Sequence, residues 1–133
     1  MSHINGTNLV LSIVGRWNPS DLASIEYVEY TAQANEQEAT LVLVGIIQRR
    51  DTVRYRWPSE QGPKFRVKMR FLGVQQLHLR EFGGPPTQIM GFDIIDVSDR
   101  GWEVIRFSVE DYEDDRIRFF CKQIDIVSVV PVS

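Results

Sequence analysis

The chain reads as a mainly β domain, an antiparallel β-sandwich or open barrel of roughly 7–9 strands with one short N-terminal helix. Three observations predict this. Apolar and polar residues alternate with period two over most of the sequence, which is the spacing of half-buried strands. Turn-forming residues break the alternation at short intervals, as in PSEQGP (58–63), GGPP (83–86) and SDRG (98–101). No long stretch carries helical spacing.

The elements follow in order. Residues 8–14 (NLVLSIV) are preceded by Thr7 and followed by Gly15, with Pro19 beyond. Thr7 or Asn8 can cap a helix there and Gly15 can stop it, with Leu9, Ile13 and Trp17 sharing one face. A strand fits this short apolar run nearly as well; the helix is the preferred reading. Strands are expected at 25–31 and 41–47, joined by the turn NEQE (35–38). In 52–57, Val53, Tyr55 and Trp57 alternate with Thr52, Arg54 and Arg56; in 65–71, Phe65, Val67, Met69 and Phe71 alternate with Arg66, Lys68 and Arg70. These two strands are expected to pair as a hairpin across 58–63. Gly73 interrupts and a strand resumes over 74–82. Further strands are expected at 89–95 and 102–109, then an acidic turn at 110–115, then 116–122 and 124–130 as one bent strand or two, ended by Pro131. Trp57, Phe65, Val67, Met69, Phe71, Leu77 and Leu79 are expected in the core.

The whole chain, 1–133, is expected to be a single β-rich domain, a length at which one hydrophobic core is sustainable. Its composition is 43% apolar and 25% charged, which excludes disordered, collagen-like and coiled-coil classes. Its longest apolar run is far short of the 18 or so residues of a membrane span. The N-terminus lacks the basic start of a signal peptide, so the expected location is the cytoplasm, with no membrane contact. Segments 41–47, 89–95 and 124–130 are apolar on both faces. Such strands are covered on both sides, so a second cover is expected from the helix or from a second subunit in a homodimer.

Motifs for catalysis are lacking. There is no phosphate loop, since Gly83-Gly84 precede two prolines that have no amide donors, and no GxSxG or HExxH. Asp93, Asp96 and Asp99 are spaced by three, unlike a calcium loop, and read as turn acids. The single cysteine, Cys121, excludes an internal disulfide. His3, His78 and Cys121 would form a zinc site, or Cys121 and His78 a nucleophile pair, only by coincidence in space; Cys121 falls in phase with Ile117 and Phe119 on an apolar face, where cysteines are inert. No cofactor, metal or enzyme activity is expected.

Charge is segregated. Residues 1–48 carry net −4, residues 49–82 net +6 and residues 83–133 net −5. Two candidate surfaces result. Glu110, Asp111, Tyr112, Glu113, Asp114 and Asp115 form an acidic turn suited to a basic protein partner, with Tyr112 as its aromatic anchor; this is the preferred contact site. Arg54, Arg56, Arg66, Lys68 and Arg70 form the alternative, an anion-binding face for nucleic acid or an acidic protein. Against nucleic acid, Tyr55, Trp57, Phe65 and Phe71 alternate with these cations and point away from them, whereas single-strand binders stack bases on aromatics beside the cations. The plainer reading of the basic face is a solvated surface whose cations meet acids across the sheet, such as Glu26 and Glu103.

Two stretches carry a family resemblance. GRWNPSDLASIEYVEY (15–30) places a tryptophan and a Pro-Ser before a strand, and FRVKMRFLGVQQLHLREFGG (65–84) follows the order of an alternating strand, Phe-x-Gly-Val-like, x-x-Leu-x-Leu, x-x-Phe. Together they resemble the immunity protein 50 family of bacterial polymorphic-toxin systems. The resemblance implies a non-enzymatic protein that neutralises a cognate toxin by binding it, without a cofactor, and it carries over no functional residue. The leading expectation is therefore a non-catalytic binding protein, an immunity-type inhibitor in its most concrete form. The alternatives are a calycin-like carrier of a small ligand, which needs a hollow interior, and the anion-binding domain described above.

Overall fold

The computed structural model describes residues 4–15, 17–32, 39–48, 63–80, 87–88, 92–98, 105–111 and 116–132. Along the chain these are β1 (Ile4–Asn5), α1 (Thr7–Ile13), a 3-10 turn (Pro19–Asp21), β2 (Leu22–Ala32), β3 (Ala39–Gln48), β4 (Lys64–Leu72), β5 (Gln75–Leu79), β6 (Thr87–Gln88), β7 (Phe92–Asp96), β8 (Phe107–Asp111), β9 (Ile117–Cys121) and β10 (Gln123–Pro131). Six strands form one sheet in the order β1-β10-β4-β3-β2-β6, and four form a second in the order β5-β9-β8-β7. Among the described residues the sheets stay separate, so the fold is a β-sandwich and not a closed barrel. Among the described residues the α-helix is the short N-terminal one expected. No helix among the described residues is long and apolar enough to cross a membrane.

Register fixes which residues face inward. Across β4 and β3, Phe71, Met69 and Val67 oppose Leu41, Leu43 and Gly45; across β4 and β10 they oppose Ile124, Ile126 and Val129. All of these are buried. From the small sheet, Phe92, Phe107, Val109, Ile117, Phe119 and Cys121 complete the core. The two layers meet at Phe71 and Phe119, both fully buried, with ring centroids 4.9 Å apart at 78°, the edge-to-face arrangement that ring quadrupoles favour. The chain passes between sheets at one corner: Gly73, at φ 68, links β4 to β5, and Lys122 links β9 to β10, its amide donating to the Leu72 carbonyl at 2.8 Å.

The alternation read over 65–71 is realised, with Val67, Met69 and Phe71 inside and Arg66, Lys68 and Arg70 outside. The segment 116–130 resolves into two strands, one in each sheet. Four expectations are corrected. First, the helix presents Val10 and Val14 to the core while Leu9, Leu11 and Ile13 are exposed. Its rotation is set by the entry: β1 pairs parallel with β10, and Gly6, left-handed at φ 85, turns the chain directly against Ile126. No side chain caps the helix, and Gly15 (φ 101) follows it. Trp17 still packs against the core. Second, Leu79 is 40% exposed. It pairs with buried Ile117, but β5 is the rim of the small sheet, beyond full cover by the large one. Third, β4 pairs with β3 on one edge and β10 on the other along its length. It has no edge left for the hairpin expected with 52–57, a segment that, with Trp57, lies outside the described residues. Fourth, among the described residues the strands expected at 74–82 and 102–109 run over Gln75–Leu79 and Phe107–Asp111, while 81–82 and 102–104 lie outside the described residues.

Gly45 is the residue on which the large sheet's inner face depends for close approach. A Cβ there would lie 2.8 Å from Leu22 Cδ1 and 2.8 Å from the Ser24 carbonyl oxygen, because bulges between Leu22 and Ser24 and between Ile25 and Tyr27 curl β2 over it. A backbone oxygen has little room to retreat. Gly45→Val is therefore expected to cost about 1–3 kcal/mol in urea unfolding, as overpacking does, with Gly45→Ala smaller and of the same sign. A neutral or stabilising valine would show that β2 shifts freely.

Candidate functional site

The basic candidate face is the outer surface of the large sheet. β4 carries Arg66, Lys68 and Arg70 there. Their register neighbours on β3 are Ile46, Val44 and Val42, and on β10 Val130, Ser128 and Asp125. Beyond β3, Tyr27 stands opposite Val44 and Glu29 opposite Val42. The bulge after Ile25 brings Glu26 to the same side, where it reaches across β3 to Arg66: Nε donates to Oε1 at 2.7 Å and Nη2 to Oε2 at 3.3 Å. This is one of the two acidic neighbours expected; Glu103 lies outside the described residues, as do Arg54 and Arg56. Arg70 Nη2 donates to Asp125 Oδ2 at 3.1 Å.

Asp125 is a hub. Its Oδ1 also accepts from Asn5 Nδ2 at 2.8 Å and Gln123 Nε2 at 3.0 Å. Desolvation raises its carboxyl, but the bonds from Gln123, Asn5 and Arg70 and the Arg70 charge outweigh that and hold it below the usual range. A carboxylate lowered by folding stabilises the fold above its unfolded pKa, and the contribution is lost as pH falls. Two of the three described cations are thus committed to internal acids. Lys68 has no such partner among the described residues. Exposed pairs of this kind stabilise by about 0–1 kcal/mol each; their main effect is to reduce the charge available to an anionic ligand.

The acidic candidate turn leaves β8 and returns in β9. Of its six residues the structure describes two, and they point to opposite sides. Asp111, 6% exposed, turns inward. Its Oδ1 accepts the Arg116 amide at 2.8 Å and the Ile117 amide at 3.2 Å, closing the connection into β9. Glu110 lies on the outer face of the small sheet, in register with Arg118 on one side and Asp93 on the other. Tyr112, Glu113, Asp114 and Asp115 lie outside the described residues.

No three His, Cys, Asp or Glu side chains come together among the described residues. His78 pairs with Arg118 on the outer face of the small sheet, while Cys121 is buried on the inner face, so the two are on opposite sides. Burial pushes the Cys121 thiol up to about 12, which leaves it protonated and unreactive. A cavity of about 10 Å³ lies among Trp17, Pro19, Leu22, Ile47, Val67, Met69 and Phe92. It has room for about one water and has an apolar lining.

Sequence reasoning missed the row Val42, Val44, Ile46 with Tyr27 and Glu29. The signal was present in the two-sided apolar run 41–47, but the neighbours of that run were not legible. No protein-family model, curated protein or solved structure matches the chain.

Proposed function

We propose that this chain is a non-catalytic protein-binding domain, and specifically an immunity-type inhibitor of a bacterial toxin. The observation that carries a protein partner over a nucleic acid is the make-up of the large sheet's outer face. Its described arginines, Arg66 and Arg70, are neutralised by Glu26 and Asp125, its centre is an aliphatic row, and Tyr27 is 49% exposed beside it. Apolar area with an amphipathic aromatic and compensated charge suits protein contacts; phosphate binding needs free cations. The resemblance of 15–30 and 65–84 to immunity proteins supplies the class of partner. Cytoplasmic residence in a bacterium belongs to the same proposal.

The test is coexpression with any toxic domain found encoded beside this chain. Growth arrest caused by that domain should be relieved, and the two proteins should elute as one complex in size-exclusion chromatography. A neighbouring toxic domain whose arrest and elution are both unchanged by the chain would overturn the proposal.

A further inference from the structure

We propose that the outer face of the large sheet is a self-association surface, joining two copies of this chain about a two-fold axis parallel to β3. The inference takes the same face that carries the protein-binding reading and gives it a second copy of this chain as occupant. Two charges on this face have no ion partner among the described residues: Lys68 on β4, and Glu29 on β2. Among the described residues Glu29 accepts the Tyr27 hydroxyl, a bond that also raises the Tyr27 pKa. The two charges lie on opposite sides of the aliphatic row of β3, Lys68 level with Val44 and Glu29 level with Val42. A two-fold axis along β3 exchanges β4 with β2. It lays Val42, Val44 and Ile46 of one copy on the same residues of the other. It also puts each Lys68 over the partner copy's Tyr27, whose hydroxyl holds the Glu29 carboxylate. The offset between the two levels is about 7 Å along the strand, within the span of a lysine and a tethered carboxylate. The uncompensated charges therefore come within reach twice by symmetry, as an isologous interface requires, beside Arg70, which is level with Glu29 and already held by Asp125.

The area sets the strength. With the axis on β3 the overlap is three strands wide, β4, β3 and β2, about 14 Å, and about eight residues long, about 27 Å. Two such faces bury roughly 800 Å² in all, the size of weak, transient interfaces. The dimer is accordingly a reversible one, forming in the micromolar range.

Sedimentation equilibrium of the full chain between about 1 and 200 µM tests this. The mean mass should rise from 15.4 kDa toward twice that value. Lys68→Glu and Glu29→Lys should each weaken association about tenfold, since each places like charges together twice. The combined Lys68→Glu, Glu29→Lys variant should recover to within about threefold of the original. Both sites are exposed, so the thermal midpoint of each variant at 1 µM serves as the check on folding. A chain that stays at 15.4 kDa throughout overturns the proposal. So does a dimer indifferent to both single reversals, or one weakened by each and not restored by the pair; the face is then left to a partner of another kind.

Discussion

Phe71→Ala is expected to destabilise the domain by about 3–5 kcal/mol, a large share of the 5–15 kcal/mol or so that holds a domain of this size folded. Phe71 is fully buried on β4, the strand hydrogen-bonded on both edges, and its ring meets Phe119 of the opposite sheet edge-to-face. Truncation removes the transfer energy of the ring and leaves a cavity at the point where the two layers touch. The edge-to-face contact adds about 0.5–1.5 kcal/mol, so the Phe71→Ala, Phe119→Ala double variant should lose less than the sum of the singles by about that amount. Tyr30→Ala, at a residue 48% exposed, should change stability by less than about 1 kcal/mol. Urea unfolding of the unsubstituted chain and the four variants measures all of this. A loss below about 1.5 kcal/mol for Phe71→Ala would mean that the sheets do not pack at this point.

The centre of the sandwich was legible because period two is a local signal. Alternation over 65–71 assigns Val67, Met69 and Phe71 to one side whatever their neighbours are, and burial follows from hydrophobicity alone. The errors share a different cause. The rotation of a seven-residue helix is not set by its own spacing, since Leu9, Val10, Leu11, Ile13 and Val14 offer several apolar faces. The choice of Val10 and Val14 comes from β1 pairing with β10, more than a hundred residues away. The hairpin of 52–57 with 65–71 was inferred from adjacency in sequence, but β10 takes the edge of β4 that such a hairpin would need. Leu79 has an inward register and an exposed position because edge location depends on strand order, which no alternation encodes. The compensation of Arg66 by Glu26 could be anticipated as a need to neutralise a row of cations. Its partner in Arg70–Asp125 could not, since it depends on the same long-range pairing of β10.

The acidic turn was read as a uniform charged surface, and Asp111 departs from that reading. Asp111→Ala is expected to cost about 2–4 kcal/mol. It removes one carboxylate oxygen that accepts two amides, Arg116 and Ile117, and leaving a buried donor unsatisfied costs about 1–3 kcal/mol. Asp111→Asn keeps an acceptor oxygen in place and loses only the charge assistance, so its cost should be about half. Glu110→Gln, on the outer face of the small sheet, should change stability by less than about 0.5 kcal/mol. Thermal unfolding of the three variants orders them, and equal effects at 110 and 111 would contradict the inward placement of Asp111. The ordering also decides how the turn can be tested as a contact site. Neutralising all its acids together would loosen the β8–β9 connection, and lost binding would then report lost structure. With Asp111 retained, Glu110→Gln, Glu113→Gln, Asp114→Asn and Asp115→Asn together remove four negative charges from a folded protein. A basic partner should then associate more slowly, with a weaker dependence on salt. An unchanged association rate in that variant would clear the turn of a steering role and leave its buried aspartate as the residue that matters there, for folding alone.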